Sequence, residues 1–279
     1  MQLPSSVALS EAISGYPIYE IEHPTCTARV ALHGAHVMEW QPTSAPNPIL
    51  YLSPKAVFTE GRAIRGGVPI CWPWFGESPT GEGPFHGVAR TRLWDMVNVS
   101  EEEDGVTIIM ETHEGDLKAT ATIHLGDKLT ITLDSVNAGD VPQKVSGALH
   151  SYLIIDEITR ITVGGLAGTE YLDTVGEPET RTQEGPVVIT GETDRIYDSS
   201  RPVRLDDPGM DRIIMVQKSG SPSTVVWNPW VDKSRTITDL PIEGYLGFVC
   251  IEAAVANDKA VLLEPGEKHQ LQTTISIEG

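Results

Sequence analysis

The sequence predicts an all-β chain, a single-domain antiparallel β-sandwich of two large sheets spanning residues 1–279. Three observations lead there. Apolar and polar residues alternate with period two over many short segments, clusters of turn-forming residues separate those segments, and nowhere does a long 3.6-period apolar stripe run between two helix caps. In chain order the clearest strand segments are residues 106–112, 119–125, 129–136 and 213–217, rich in Val, Ile and Thr. Turn signals bound them: Glu103, Asp104 and Gly105; Gly126 and Asp127; Asn137 to Asp140; Lys218 to Ser221. From about Trp94 to Asp156 the pattern reads as successive antiparallel hairpins. No composition break or Ser/Gly linker divides the chain, and 279 residues suit one large sandwich.

Composition narrows the function classes. No apolar run approaches the roughly 20 residues that cross a bilayer, so no transmembrane helix is expected. The N-terminus lacks a basic stretch followed by an apolar one, which argues against a secretion signal. Cys26, Cys71 and Cys250 cannot all pair and are too far apart for a zinc site; they read as small buried hydrophobes in a reducing, cytoplasmic compartment. A net charge of −19 repels nucleic acid and anionic membranes, so neither is expected as a partner. The same charge opposes any anionic ligand unless arginines converge locally, because a close guanidinium outweighs a field screened over about 8–10 Å.

The densest chemistry lies in residues 64–76. Arg65 brings a planar fork suited to an oxyanion, Gly66 and Gly67 permit positive φ and close approach, and Pro69 and Pro73 stiffen the chain. Trp72 and Trp74 offer broad faces for a sugar ring. Residues 61–67 lack the lysine and following helix of a phosphate loop, and no dinucleotide-binding glycine pattern follows a buried parallel strand. His33 and His36, with no third ligand nearby, read as structural, so no metal site is expected.

Further segments follow in order: residues 84–90 with His86 and Arg90, 148–153 around His150, 171–173, 192–197 around Asp194, 227–230 between Trp227 and Trp230, and 248–254 around Glu252. With residues 64–76, this series resembles the hexose-6-phosphate mutarotases, or glucose-6-phosphate 1-epimerases, of the galactose-mutarotase-like superfamily. The resemblance runs from about Trp40 to the C-terminus. It implies the many-stranded supersandwich of that superfamily and an isomerase interconverting the α and β anomers of an aldohexose 6-phosphate, glucose 6-phosphate foremost. That reaction opens a cyclic hemiacetal and recloses it on the other face, which requires one base, one acid and a pocket, and no metal or cofactor.

The resemblance assigns the acid to His150 and the base to Glu252. It makes Arg65 and Arg90 substrate contacts and candidates for a phosphate clamp, and Asp194 an acceptor for sugar hydroxyls, with His86 beside the pocket. Both catalytic candidates lie inside apolar, strand-like runs, where a polar side chain needs a partner or a cavity. A facing pair is expected to hold the imidazole protonated and the carboxylate ionised. One departure concerns specificity: Phe85 stands where the family commonly has a substrate-touching glutamine, and Val88 replaces an aromatic residue. Two other functions remain open at this point: an epimerase of unphosphorylated aldoses, and a non-catalytic sugar-phosphate-binding module. Glycoside hydrolysis by Asp194 and Glu252 would leave His150 without a role. A monomer with a small sugar phosphate as its only partner is the expectation.

Overall fold

The structure, a computed structural model, describes residues 2–13 and 15–278, and strands account for most of it. All strand pairs are antiparallel. Two large sheets form the sandwich, as the alternation predicts. One has eight strands in the order Thr162–Gly164, Val203–Asp207, Arg212–Ser219, Lys268–Glu278, Leu129–Asn137, Leu117–Gly126, Gly105–Glu114 and Asp95–Glu102. The other has seven: Glu179–Thr182, Glu170–Asp173, Thr193–Tyr197, Ser223–Asn228, Phe248–Val255, Gly147–Ile154 and Ile70–Cys71. A four-stranded sheet, Val7–Ile13 to His36–Pro42, and a two-stranded ribbon of Gln143–Val145 with Val261–Leu263 complete the fold.

All four strand segments expected from alternation fall within the eight-stranded sheet. In Leu129–Asn137 burial alternates residue by residue, with Leu129, Ile131 and Leu133 turned to the core and Thr130 and Thr132 only half-buried. The hairpin series runs only to Asn137. Gly147–Ile154 crosses to the seven-stranded sheet instead, and its sequence supplies the reason. Nearly every residue of Gly147–Ile154 and Phe248–Val255 is buried, so both faces of these strands need cover that an edge position in the meander would not give.

The two faces of those central strands differ in kind. Leu149, Leu153, Val249, Ile251 and Ala253 join the main apolar cluster with Ile131, Leu133 and Ile275 of the opposing sheet. The alternate positions His150, Tyr152, Cys250 and Glu252 face away from that core. Small clusters around Cys71 with Ala148, and around Tyr152 with Leu240 and Phe248, flank this outer face. Cys26, Cys71 and Cys250 are free thiols, all buried. Among the described residues no helix is long and apolar enough to cross a membrane.

Ile251 is fully buried on the inner face, next in sequence to Glu252. Ile251→Ala should therefore cost about 2–5 kcal/mol in urea unfolding, and a loss below about 1 kcal/mol would contradict this packing.

Candidate active site

Strand register builds the site. His150 is the cross-strand partner of Glu252, Glu252 of Val225, and Val225 of Ile196, giving one row across four strands. Two residues along each strand lies a second row on the same face: Tyr152, Cys250, Trp227 and Asp194. Loops close over these rows to form a cleft of about 700 Å³. Its lining includes His150, Glu252, Arg65, Arg90, Asp194, His86 and Phe85, so the structure brings together every site residue expected from sequence.

Arg65 is placed by the two glycines that follow it. Gly66 has φ +110° and Gly67 φ +62°. A Cβ on Gly66 would lie 2.3 Å from the Tyr51 carbonyl oxygen, and one on Gly67 2.2 Å from that of Val37. Only glycine permits that approach, and it seats the turn against the neighbouring strands. His36 Nε2 donates to the Gly66 carbonyl at 2.8 Å; burial pushes its ring down to about 3, so it is a neutral, structural donor. From this turn Arg65 donates Nε to Asp239 Oδ1 at 3.1 Å and Nη1 to the Tyr152 hydroxyl at 3.0 Å. The Tyr152 ring in turn stacks on His150, with centroids 4.8 Å apart and planes 9° from parallel.

His86 adopts φ +64°, and its Nδ1 accepts the Gly76 amide at 3.0 Å. Burial, with Arg90 and Arg65 nearby, pushes it down to about 3, so the neutral ring carries its proton on Nε2. Arg90 donates Nη2 to the Phe85 carbonyl at 2.8 Å, while its buried Nε has no protein partner. Asp194 sits beside Trp227 in register, and burial raises its carboxyl above the usual range, partly offset by Thr174 and Lys233.

The central pair is His150 Nε2 and Glu252 Oε1, 3.4 Å apart. His150 Nδ1 and Glu252 Oε2 are buried and lack protein partners, which leaves hydrogen-bonding capacity at the floor of the cleft. Burial works against the expected charged pair. Burial drives His150 well below the ordinary histidine value, and His86, Arg90 and Arg65 push it the same way. Burial likewise raises Glu252 well above the carboxylate range; Asp194 adds to the rise and Arg90 opposes it. Both shifts run toward the uncharged forms, because removing two charges from water is costly and a single 3.4 Å contact offsets it only in part. The neutral and ionic forms hold the same protons and interconvert by one transfer between the two side chains.

The two tryptophans of residues 64–76 also behave differently from expectation. Trp72 is fully buried, its Nε1 donating to Ser135 Oγ, and Trp74 donates to the Pro84 carbonyl. Neither lines the cleft; Phe75 and Trp227 do, with Phe85 exposed at the rim. Sequence reasoning missed Tyr152, Trp227, Asp239 and Arg62 as lining residues. Tyr152 was within reach, since a residue two positions from His150 on a strand shares its face. Asp239, 174 positions from Arg65, left no local signal.

Linkage gives Glu252 a predictable signature. Its folded carboxyl keeps a proton that the unfolded chain releases near the ordinary glutamate value of 4.5, so its contribution to stability falls as pH rises above that point. Glu252→Gln removes the penalty. The variant should melt higher than wild type at pH 8, with the gain shrinking toward pH 5, and a lower melting temperature at pH 8 would contradict the buried neutral carboxyl.

The chain is similar to known proteins over most of its length. A family model described as aldose 1-epimerase matches residues 17–276. An Escherichia coli K12 protein provisionally named glucose-6-phosphate 1-epimerase is 32% identical over 262 residues, covering 91% of this chain and 88% of its own. A protein of Cenchrus ciliaris with the same provisional name is 31% identical, covering 90% and 81%. The crystal structure of a provisionally named mutarotase from Salmonella typhimurium superposes with a TM-score of 0.91 at 28% identity, covering 99% of this chain and 95% of that one.

Proposed function

This chain belongs to the aldose 1-epimerase family, and we propose that it interconverts the α and β anomers of an aldohexose 6-phosphate, glucose 6-phosphate foremost. Interconversion of aldose anomers follows from the family; the phosphate is the added step. The observation that supports it is a convergence of charge. In a chain of net charge −19, the cleft around His150 and Glu252 is lined by Arg62, Arg65, Arg90 and Lys233. That is the local gathering of cations an anionic substrate needs to approach so acidic a protein.

The proposed chemistry uses the buried pair directly. The sugar lies with its anomeric hydroxyl toward Glu252 and its ring oxygen toward His150. One proton transfer from Glu252 to His150 converts the neutral pair to carboxylate and imidazolium. Glu252 then takes the proton of the anomeric hydroxyl, the C1–O5 bond breaks, C1 becomes an aldehyde carbon, and His150 gives its proton to O5. The pair is now neutral again, which is the form burial favours, so the open-chain state develops without charge on the floor of the cleft. Rotation about C1–C2 presents the other face. Reclosure returns a proton from Glu252 to O1 and the O5 proton to His150. Asp194 accepts hydrogen bonds from ring hydroxyls, Arg65 and Arg90 draw in the anionic substrate, and His86 offers its Nε2 proton. Phe85 and Trp227 supply apolar faces to the ring in place of the polar contact a glutamine at position 85 would make.

Magnetisation-transfer NMR tests both parts. Anomer exchange should be accelerated far more for glucose 6-phosphate than for glucose at equal concentration, whereas equal acceleration would favour unphosphorylated aldoses. Glu252→Gln should slow exchange by about 10²-fold or more while glucose 6-phosphate binding changes little. Unchanged exchange in that variant would remove Glu252 from the mechanism.

A further inference from the structure

Of the arginines in the described chain, only Arg62 has no side-chain partner. The others donate to a carboxylate, a hydroxyl or a carbonyl oxygen: Arg29 to Glu39, Arg65 to Asp239 and Tyr152, Arg90 to Phe85, Arg92 to Glu114, Arg160 to Asp156 and Arg181 to Glu179. Arg195, Arg201, Arg204, Arg212 and Arg235 are engaged in the same way. With 39 acidic residues against 20 basic ones, a solvent-exposed guanidinium has many potential partners. Arg62 is exposed, lies on the rim of the active-site cleft, and pairs with none, although Glu77 also lies on that rim.

The other cations of the cleft each have at least one protein partner. Arg65 is held by Asp239 and Tyr152. Arg90 is tied to Phe85, and its charge acts on both His150 and Glu252, which places it near the reacting atoms. Lys233 is paired with Glu192 at 3.2 Å. The chemistry of the substrate points the same way. C1, O1 and O5 must reach the buried pair, whereas the phosphate hangs from C6 on a rotatable arm outside the ring. Burying a phosphate dianion among apolar groups is costly, so the half-solvated rim is the favourable place for it.

We propose that Arg62 is a specificity-determining residue, a free guanidinium at the rim that receives the 6-phosphate of the substrate through charge-assisted hydrogen bonds. This rests on the phosphorylated-substrate reading above, and divides the work between the occupied arginines near the reacting atoms and an unpaired one for the phosphate.

The test is steady-state anomer exchange with glucose 6-phosphate and with glucose for wild type, Arg62→Gln, Arg62→Lys and Arg160→Gln. Arg160 is a charge-matched control, a surface arginine paired with Asp156 and absent from the cleft lining. Arg62→Gln should raise KM for glucose 6-phosphate by about 10- to 100-fold, keep kcat within about 3-fold and leave glucose exchange unchanged. Arg62→Lys should recover most of the loss, and Arg160→Gln should match wild type. If wild type prefers the phosphate ester and Arg62→Gln does not alter that preference, the role of Arg62 is overturned while the phosphorylated substrate stands. If Arg160→Gln reproduces the effect, bulk charge is responsible and Arg62 has no special role. A wild type that treats the two sugars alike overturns both readings.

Discussion

His150 and Glu252 are held opposite each other by the register of two antiparallel strands, and the rest of the site is arranged around that pairing. Neither residue sets the register. The inner-face neighbours Leu149, Leu153, Val249 and Ile251 do, by packing into the main core. Because side chains alternate with period two, a one-residue slip of either strand would turn His150 or Glu252 into the sandwich and the aliphatic neighbours into the cleft. The apolar energy of the fold therefore works as the positioning force for the polar pair. The same alternation lays Tyr152, Trp227 and Asp194 on the face shared by His150 and Glu252.

Burial gives that pair its chemical character. A carboxyl and an imidazole 3.4 Å apart would form an ion pair in a more polar setting. Under sheet and loops burial biases both toward their uncharged forms, and one proton transfer separates the neutral pair from the ionic one. Arg90 opposes the rise at Glu252, so its cation keeps the carboxylate form accessible. Arg65 reaches His150 both by its charge and through Tyr152, which stacks on the His150 ring. The charge of the chain is thus organised at two scales: a diffuse acidic surface, and a small cluster of cations gathered by three separate segments of sequence at one cleft.

Much of the fold and site was legible in the sequence, for identifiable reasons. The strands of the eight-stranded sheet each carry one dry and one wet face, and such alternation is a local property. The two strands bearing His150 and Glu252 are buried on both faces, so alternation could not show where they pair, and the hairpin reading ran on too far past Asn137. Gly66 and Gly67 were readable because backbone with positive φ in close contact leaves few residues able to serve. Trp72 and Trp74 were misread as sugar platforms because an aromatic face carries no mark of which side of the fold it will occupy.

By itself the sequence determined the all-β class, the ordered series of motifs and the need for local positive charge against −19. Each of these depends on residue type and short-range spacing. Only the tertiary structure decided that Asp239 anchors Arg65 across 174 positions, that burial pushes His150 and Glu252 toward their uncharged forms, and that Arg62 stands without a partner at the rim. Those facts depend on desolvation and on which distant side chains meet, and a linear pattern carries neither.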